Sequence, residues 1–75
     1  MPESVEVECY SGHTYAQRPR AFTWRGQRYQ VEAVERTWRT PQGLHFRVRT
    51  DKLRAELVYD ETQHRWSLFS VSELA

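Results

Sequence analysis

The stretch Leu44–Tyr59, LHFRVRTDKLRAELVY, decides the fold. Apolar and charged residues alternate in both of its halves, a pattern that predicts two strands with one buried face each. A reversal at Asp51-Lys52 makes these strands an antiparallel hairpin in which apolar side chains face one another. The resulting apolar pairs are Val48 with Ala55, Phe46 with Leu57 and Leu44 with Tyr59.

The same register continues into a second hairpin. A four-residue loop from Glu61 to His64 brings back the segment RWSL and keeps apolar residues facing each other. On the solvent side we expect cross-strand ion pairs of small energetic value. The expected apolar pairs are Tyr59 with Trp66 and Leu57 with Leu68, and the expected ion pairs are Arg47 with Glu56 and Asp60 with Arg65.

The segment Arg18–Tyr29, RPRAFTWRGQRY, predicts a further hairpin. A two-residue type II′ turn at Gly26-Gln27 pairs Trp24 with Tyr29 and Phe22 with Val31, because that turn prefers Gly first. A turn at Arg25-Gly26 instead requires an arginine at positive φ. The first register is therefore expected. It directs a second set of side chains to solvent: Ala21, Thr23, Arg25, Arg28 and Gln30.

In the segment between these hairpins, the alternation of residues is less regular, so it is harder to assign which side chains point inward. We expect a β-bulge near Glu32-Ala33. A three-residue loop, Pro41-Gln42-Gly43, then pairs Trp38 with Phe46 in the core. This phase points Arg36 inward, where an unpaired charge is costly. Three explanations stay open for Arg36: it reaches solvent at the barrel end, it pairs with an acid, or the phase is wrong.

At the N-terminus, VEVEC alternates as a strand, with Val5, Val7 and Cys9 on one face. The chain as a whole therefore predicts an all-β fold: a small antiparallel meander of five to six strands, forming a strongly curled sheet or an SH3-like barrel. Its 75 residues are expected to form a single small β domain, 1–75.

The amino-acid composition narrows the expected cellular location and the kind of partner. One cysteine excludes an internal disulfide, and no apolar run is long enough to span a bilayer, so a cytoplasmic, non-membrane protein is expected. The net charge is only +1, but the eight arginines between Arg18 and Arg49 face two glutamates in that segment. This local excess of cations is the strongest compositional hint of an anionic partner.

The arginines and rings define the first candidate site, a nucleic-acid surface in which guanidinium groups contact phosphates and rings stack on bases. The alternative is a solvated outer face, with Phe22 and Trp24 in the core. Tyr10 and Tyr15 are then better candidates for exposed rings. The candidate nucleic-acid-binding residues are Arg18, Arg20, Arg25, Arg28, Arg47, Arg49, Tyr10 and Tyr15.

A second candidate is an anion pocket formed by His13 and Arg36. Metal binding is not expected, because Cys9 and the three histidines lack the paired spacing of a zinc site. No nucleophile with an orienting base is identifiable, and no glycine-rich phosphate loop is present. We therefore expect no enzyme activity, no catalytic residues and no cofactor.

The blocks RPRAFTWRGQRYQV, WR and WSL resemble a family of short uncharacterised bacterial proteins and domains of unknown function. That family has the pattern RP-x-x-F-x-W-x-G-x-x-Y-x-V, followed by WR and a late W-x-L. The resemblance extends from about Tyr10 to Leu68. Some members are similar to segments appended to Y-family polymerase-like proteins, which implies a link to DNA repair.

Two functional hypotheses follow. The first is a non-enzymatic binding module that acts through protein–protein contacts and presents a strand edge or an apolar patch. The second is a nucleic-acid-binding accessory module with an arginine-rich face, connected with DNA repair. The two differ in salt dependence, because binding to phosphates weakens steeply as salt rises.

Overall fold

A computed structural model describes residues 3–9 and 18–74. They form two antiparallel sheets, one in the order β1-β8-β7-β6-β5 and one in the order β2-β3-β4. The predicted all-β antiparallel fold is confirmed, and no helix in the described residues is long and apolar enough to cross a membrane. The strands are β1 Glu3–Ser4, β2 Glu6–Cys9, β3 Pro19–Trp24, β4 Gln27–Gln30, β5 Ala33–Thr40, β6 Gly43–Arg49, β7 Leu53–Asp60 and β8 Arg65–Glu73.

The two sheets are joined where the chain passes from one to the other. The Val31 amide donates to the Arg20 carbonyl at 2.9 Å, and the adjacent Glu32 amide donates to the Arg49 carbonyl at 2.8 Å. At the other junction, the Val5 amide donates to the Trp66 carbonyl at 3.3 Å. Strands β1 and β2, and likewise β4 and β5, are therefore two halves of one bent strand, which reduces the eight segments to six.

Side chains from both sheets meet in one core. Phe22 from the small sheet is fully buried, and Phe46, Val48, Leu57 and Leu68 from the large sheet are at most 5% exposed. The predicted registers of the last two hairpins are confirmed. Val48 lies opposite Ala55, Phe46 opposite Leu57, Leu44 opposite Tyr59, Tyr59 opposite Trp66, and Leu57 opposite Leu68.

The turn predicted at Gly26-Gln27 is wrong. Arg25 and Gly26 form the turn with φ values of +52° and +78°, so Phe22 lies opposite Tyr29 and Trp24 opposite Gln27. Positive φ at both central residues defines a type I′ turn, whose twist matches that of the flanking strands. The two registers differ by two residues and bury the same side chains, so the apolar pattern could not distinguish them.

Ala21 was expected to face solvent, but it is fully buried. It lies on the central strand of the small sheet, opposite Glu8 on one side and Gln30 on the other. Its methyl group is too short to reach past these longer neighbours. Trp24, expected in the core, is half-buried at the core's edge, and its indole Nε1 donates to Glu3 at 3.2 Å.

The phase predicted for β5 is also wrong. Pro41 and Gln42 form a two-residue turn, Thr40 lies opposite Gly43, and Trp38 lies opposite His45 instead of Phe46. A shift of one residue transfers every side chain of a strand to its other face. Trp38 therefore lies outside the core, on the solvent side of the large sheet.

The bulge lies at Glu35 instead of Glu32-Ala33. Val34 pairs with Val48 and Arg36 with Arg47, which leaves Glu35 as the extra residue of β5. Val34 packs against the core, whereas Arg36 points outward and is exposed. Of the three explanations for Arg36, the wrong phase is the correct one.

Candidate functional site

The solvent side of β5, β6 and β7 carries a cluster that we call the Trp38 face. The register of β5 places Arg36 opposite Arg47 and Trp38 opposite His45. The Arg36 guanidinium lies 4.9 Å from the Trp38 ring centroid, and the Arg47 guanidinium lies 5.9 Å from it. Both arginines are exposed, and the ring is half-buried. The face comprises Arg36, Trp38, Thr40, His45, Arg47 and Glu56.

Two like-charge pairs cross these strands. Arg36 lies opposite Arg47, and Arg49 lies opposite Arg54. Like charges directly opposite each other destabilise a sheet. Within the described residues, neither Arg36 nor Arg47 forms a salt bridge, although Arg47 lies opposite Glu56 and the charge of Glu35 reaches it at longer range.

The second pair is neutralised by Glu35. Arg54 makes a bidentate contact with its carboxylate, at 2.6 Å from Nε and 3.2 Å from Nη2, and Arg49 lies 4.0 Å away. The hydrogen bond from Arg54, together with the charges of the nearby arginines, holds the pKa of Glu35 below its ordinary value. The bulge therefore places an acid in direct contact with one arginine pair, while Arg47 of the other pair interacts with it only at longer range.

His45 supports the ring from below. It is 3% exposed, stacks on Trp38 with centroids 5.1 Å apart, and contacts the edge of Phe69 at 5.7 Å. Its Nδ1 lies 2.9 Å from Glu56 Oε2, and its Nε2 lies 2.6 Å from Thr40 Oγ1. In the neutral imidazole, Nδ1 donates to the carboxylate and Nε2 accepts from the hydroxyl.

This hydroxyl–imidazole–carboxylate chain has the connectivity of a hydrolytic triad. Here, however, the Thr40 hydroxyl also accepts from the Gln42 amide at 3.1 Å, so the chain ends within the turn. The ring is buried beneath Trp38 and Phe69. Among the described residues, no buried side-chain nitrogen or oxygen lacks a hydrogen-bond partner, and these bonds fix the orientation of His45 and, through it, of Trp38.

The predicted basic surface is partly neutralised and is divided between the two sheets. Arg25 lies 3.8 Å from Glu3 and 4.7 Å from the Trp24 ring centroid, and Arg28 binds Glu8 at 2.8 Å, which lowers the pKa of that carboxyl. Arg18 and Arg20 are exposed, with Arg20 at the start of β3. Arg47 and Arg49 lie on the other sheet. Tyr10, Tyr15 and His13 lie outside the described residues.

The two ion pairs predicted on the outer face are wrong in detail. Arg47 lies opposite Glu56 and Asp60 opposite Arg65, as expected. Glu56, however, bonds to His45. Asp60 instead accepts from the backbone amides of the loop that follows it, Thr62 at 2.9 Å and Gln63 at 3.1 Å.

A cleft of about 690 Å³ follows the edge of β4 and is lined by residues 27–32 together with Asp51 and Lys52. Its cations, Arg28 and Lys52, are matched by Glu32 and Asp51, so it selects no charge. Within the described residues, no group of three His, Cys, Asp or Glu side chains is placed to hold a metal ion.

Sequence reasoning missed the Trp38 face because it placed Trp38 in the core. One signal was available: the same phase forced Arg36 inward without an identified partner. Moving the turn by one residue relieves that conflict and brings Trp38, Arg36 and Arg47 together.

The profile of a family described as a domain of unknown function (DUF6504) matches residues 1–45. The chain belongs to this family. The match ends at His45 and so covers four residues of the Trp38 face: Arg36, Trp38, Thr40 and His45. No curated protein and no solved structure matches the chain.

Proposed function

We propose that this member of the family is a non-enzymatic binding module that recognises an anionic partner through the Trp38 face. The observation that carries the proposal is the Arg36–Arg47 pair. These two guanidinium groups lie on adjacent strands over one ring, without a salt bridge among the described residues. An anion placed between them removes their repulsion, which gives binding a favourable electrostatic term.

The residue types support a recognition role. Trp and Arg are the residues most enriched at binding hot spots, because each contributes a large contact area together with a directional polar or charged group. Trp38 is fixed from below by His45, so little side-chain entropy is lost when a partner covers it. The His45 chain accordingly has a supporting role in this proposal, not a catalytic one.

The proposal relocates the binding surface predicted from the sequence. Arg25 and Arg28 already have acidic partners, whereas Arg47 forms no salt bridge among the described residues. An acidic protein surface and a nucleic acid both carry suitable anions. The protein-contact and nucleic-acid hypotheses therefore share this site.

Backbone amide NMR tests the proposal, with inorganic polyphosphate and poly-glutamate as two chemically different probes. At least one probe is expected to shift amides of β5 and β6, and the double variant Arg36→Gln/Arg47→Gln is expected to abolish this effect. Arg25→Gln is the matched control, because Arg25 also lies over a tryptophan but has Glu3 beside it. The proposal fails if neither probe binds, or if the control variant alone abolishes binding.

A further inference from the structure

We infer that the anionic partner is a single-stranded nucleic acid, whose phosphates contact the arginines and whose base stacks at Trp38. This inference rests on the proposed function and specifies its ligand.

The ring distinguishes a nucleotide from a simple anion. A carboxylate between Arg36 and Arg47 satisfies both charges but makes no use of the adjacent indole. A nucleotide uses both, because its phosphate binds guanidinium groups and its base stacks on aromatic or guanidinium planes. In Trp38 and Arg36, whose guanidinium lies 4.9 Å from the ring centroid, the protein offers a stack that a base can extend.

The arginines also match a repeating backbone. The Arg36–Arg47 pair and the Arg49–Arg54 pair follow one another along β6, with Arg47 and Arg49 two residues apart. Two residues of a strand span about 7 Å, which is comparable to the distance between neighbouring phosphates in an extended single strand. One phosphate can lie at each pair. A duplex is disfavoured because its paired bases are stacked inside and cannot reach Trp38.

Glu35 limits the second phosphate site. Its carboxylate already occupies Arg54 and lies 4.0 Å from Arg49, so it competes with a phosphate for the same donors. Neutralising Glu35 is therefore expected to strengthen binding. A gain of affinity cannot result from misfolding, which makes this variant a stringent test.

Fluorescence titration with a ten-residue oligothymidylate measures these effects. Binding is expected to quench tryptophan emission, and Trp38→Ala is expected to weaken affinity roughly 5- to 150-fold. The slope of log K against log salt is expected to lie between about −0.7 and about −1.4, because each phosphate contributes about −0.7 and Glu35 partly blocks the second site. The double variant Arg36→Gln/Arg47→Gln, which removes one phosphate site, is expected to make this slope shallower by about 0.7.

Glu35→Gln is expected to tighten binding and steepen the slope. Trp38→Phe, which keeps a ring, serves as a second variant should the alanine variant fold poorly, and it is expected to bind with intermediate affinity. An oligomer of abasic nucleotides, which has phosphates but no bases, is expected to bind more weakly than oligothymidylate.

Three results would overturn the inference: equal binding of the abasic oligomer, binding of poly-glutamate as tight as that of oligothymidylate, or weaker binding by Glu35→Gln. Each of them leaves the proposed anion-binding function intact, provided that the Arg36→Gln/Arg47→Gln variant still loses its probe. If no polyanion binds, both the proposed function and this inference are wrong.

Discussion

Arg36 lies directly opposite Arg47 on neighbouring strands, and both guanidinium groups lie over the ring of Trp38. The arrangement recurs at Arg49 and Arg54, but there Glu35 contacts both arginines. Glu35 therefore forms salt bridges with the second arginine pair, whereas no acid among the described residues forms a salt bridge with Arg36 or Arg47. We interpret this difference as the mark of a ligand site.

The first prediction concerns the cost of this pair. Arg36→Glu replaces a like-charge cross-strand pair by an opposite-charge pair, so the free energy of unfolding is expected to rise by about 0.2–1 kcal/mol. Urea unfolding at low salt, followed by fluorescence, measures the change. The gain is expected to shrink in high salt, because both side chains are exposed and screened.

The matched control for this prediction is Arg65→Glu. Arg65 is exposed and lies opposite Asp60, so the same substitution creates a like-charge pair and is expected to lower stability slightly. A loss of stability with Arg36→Glu, or an equal change in both variants, would contradict the electrostatic argument.

The second prediction concerns Gly43, whose φ is +139°. A Cβ atom at this position would lie 2.1 Å from the carbonyl oxygen of Tyr59, which is backbone and cannot rotate away. Gly43→Ala is therefore expected to cost more than about 3 kcal/mol, because steric overlap adds to dihedral strain. Thermal unfolding measures this loss.

Gly26→Ala provides the comparison. Gly26 also has a positive φ, +78°, but a Cβ atom there meets no atom within 4 Å. Only the dihedral cost of about 1–2 kcal/mol is expected. Equal effects of the two substitutions would show that the approach of Tyr59 does not limit the turn.

The sequence predicted β6, β7 and β8 well because their loops are bounded on both sides by apolar alternation. Only one register of each hairpin makes Phe46 meet Leu57 and Tyr59 meet Trp66. In β5, by contrast, the polar stretch between Val34 and Leu44 contains one large apolar residue, Trp38. A tryptophan near arginines can lie on either the buried or the solvent face of the sheet. The residue pattern therefore does not fix the register of β5, which depends on the length of the turn that follows.

The site was therefore only partly predictable. Arg47 was named as a nucleic-acid contact and Arg36 as an anion contact, but in separate places. Their meeting at Trp38 depends on a two-residue turn and a bulge at Glu35. Because β5 has only one large apolar residue in this stretch, the alternation of residue types does not fix either feature.

The third prediction concerns the support beneath Trp38. Glu56→Leu removes the acceptor of the His45 Nδ1–H bond and leaves a buried donor unpaired, which is expected to cost about 1–3 kcal/mol of stability. Urea unfolding measures the loss. Near-ultraviolet circular dichroism is expected to change as well, since Trp38 stacks on the displaced ring.

Glu56→Gln is the control, because its amide oxygen can still accept from Nδ1. Its cost is expected to stay below about 1 kcal/mol. If the leucine and glutamine variants lose the same stability, the hydrogen bond to His45 is not what holds this part of the face together.

The last prediction concerns acid. The hydrogen bond from Arg54 lowers the pKa of Glu35 in the folded protein, so the ionised carboxylate stabilises the fold above the unfolded-state pKa of about 4.3. That contribution disappears as the pH falls through the lower, folded-state pKa. Glu35→Gln is therefore expected to reduce stability at pH 7, with the difference from the natural protein shrinking on acidification.

The cause of the lowered pKa is tested separately. In the Arg54→Gln variant, the titration midpoint of the Glu35 carboxyl, measured by NMR, is expected to lie higher than in the natural protein. An unchanged midpoint would show that Arg54 is not the cause of the shift.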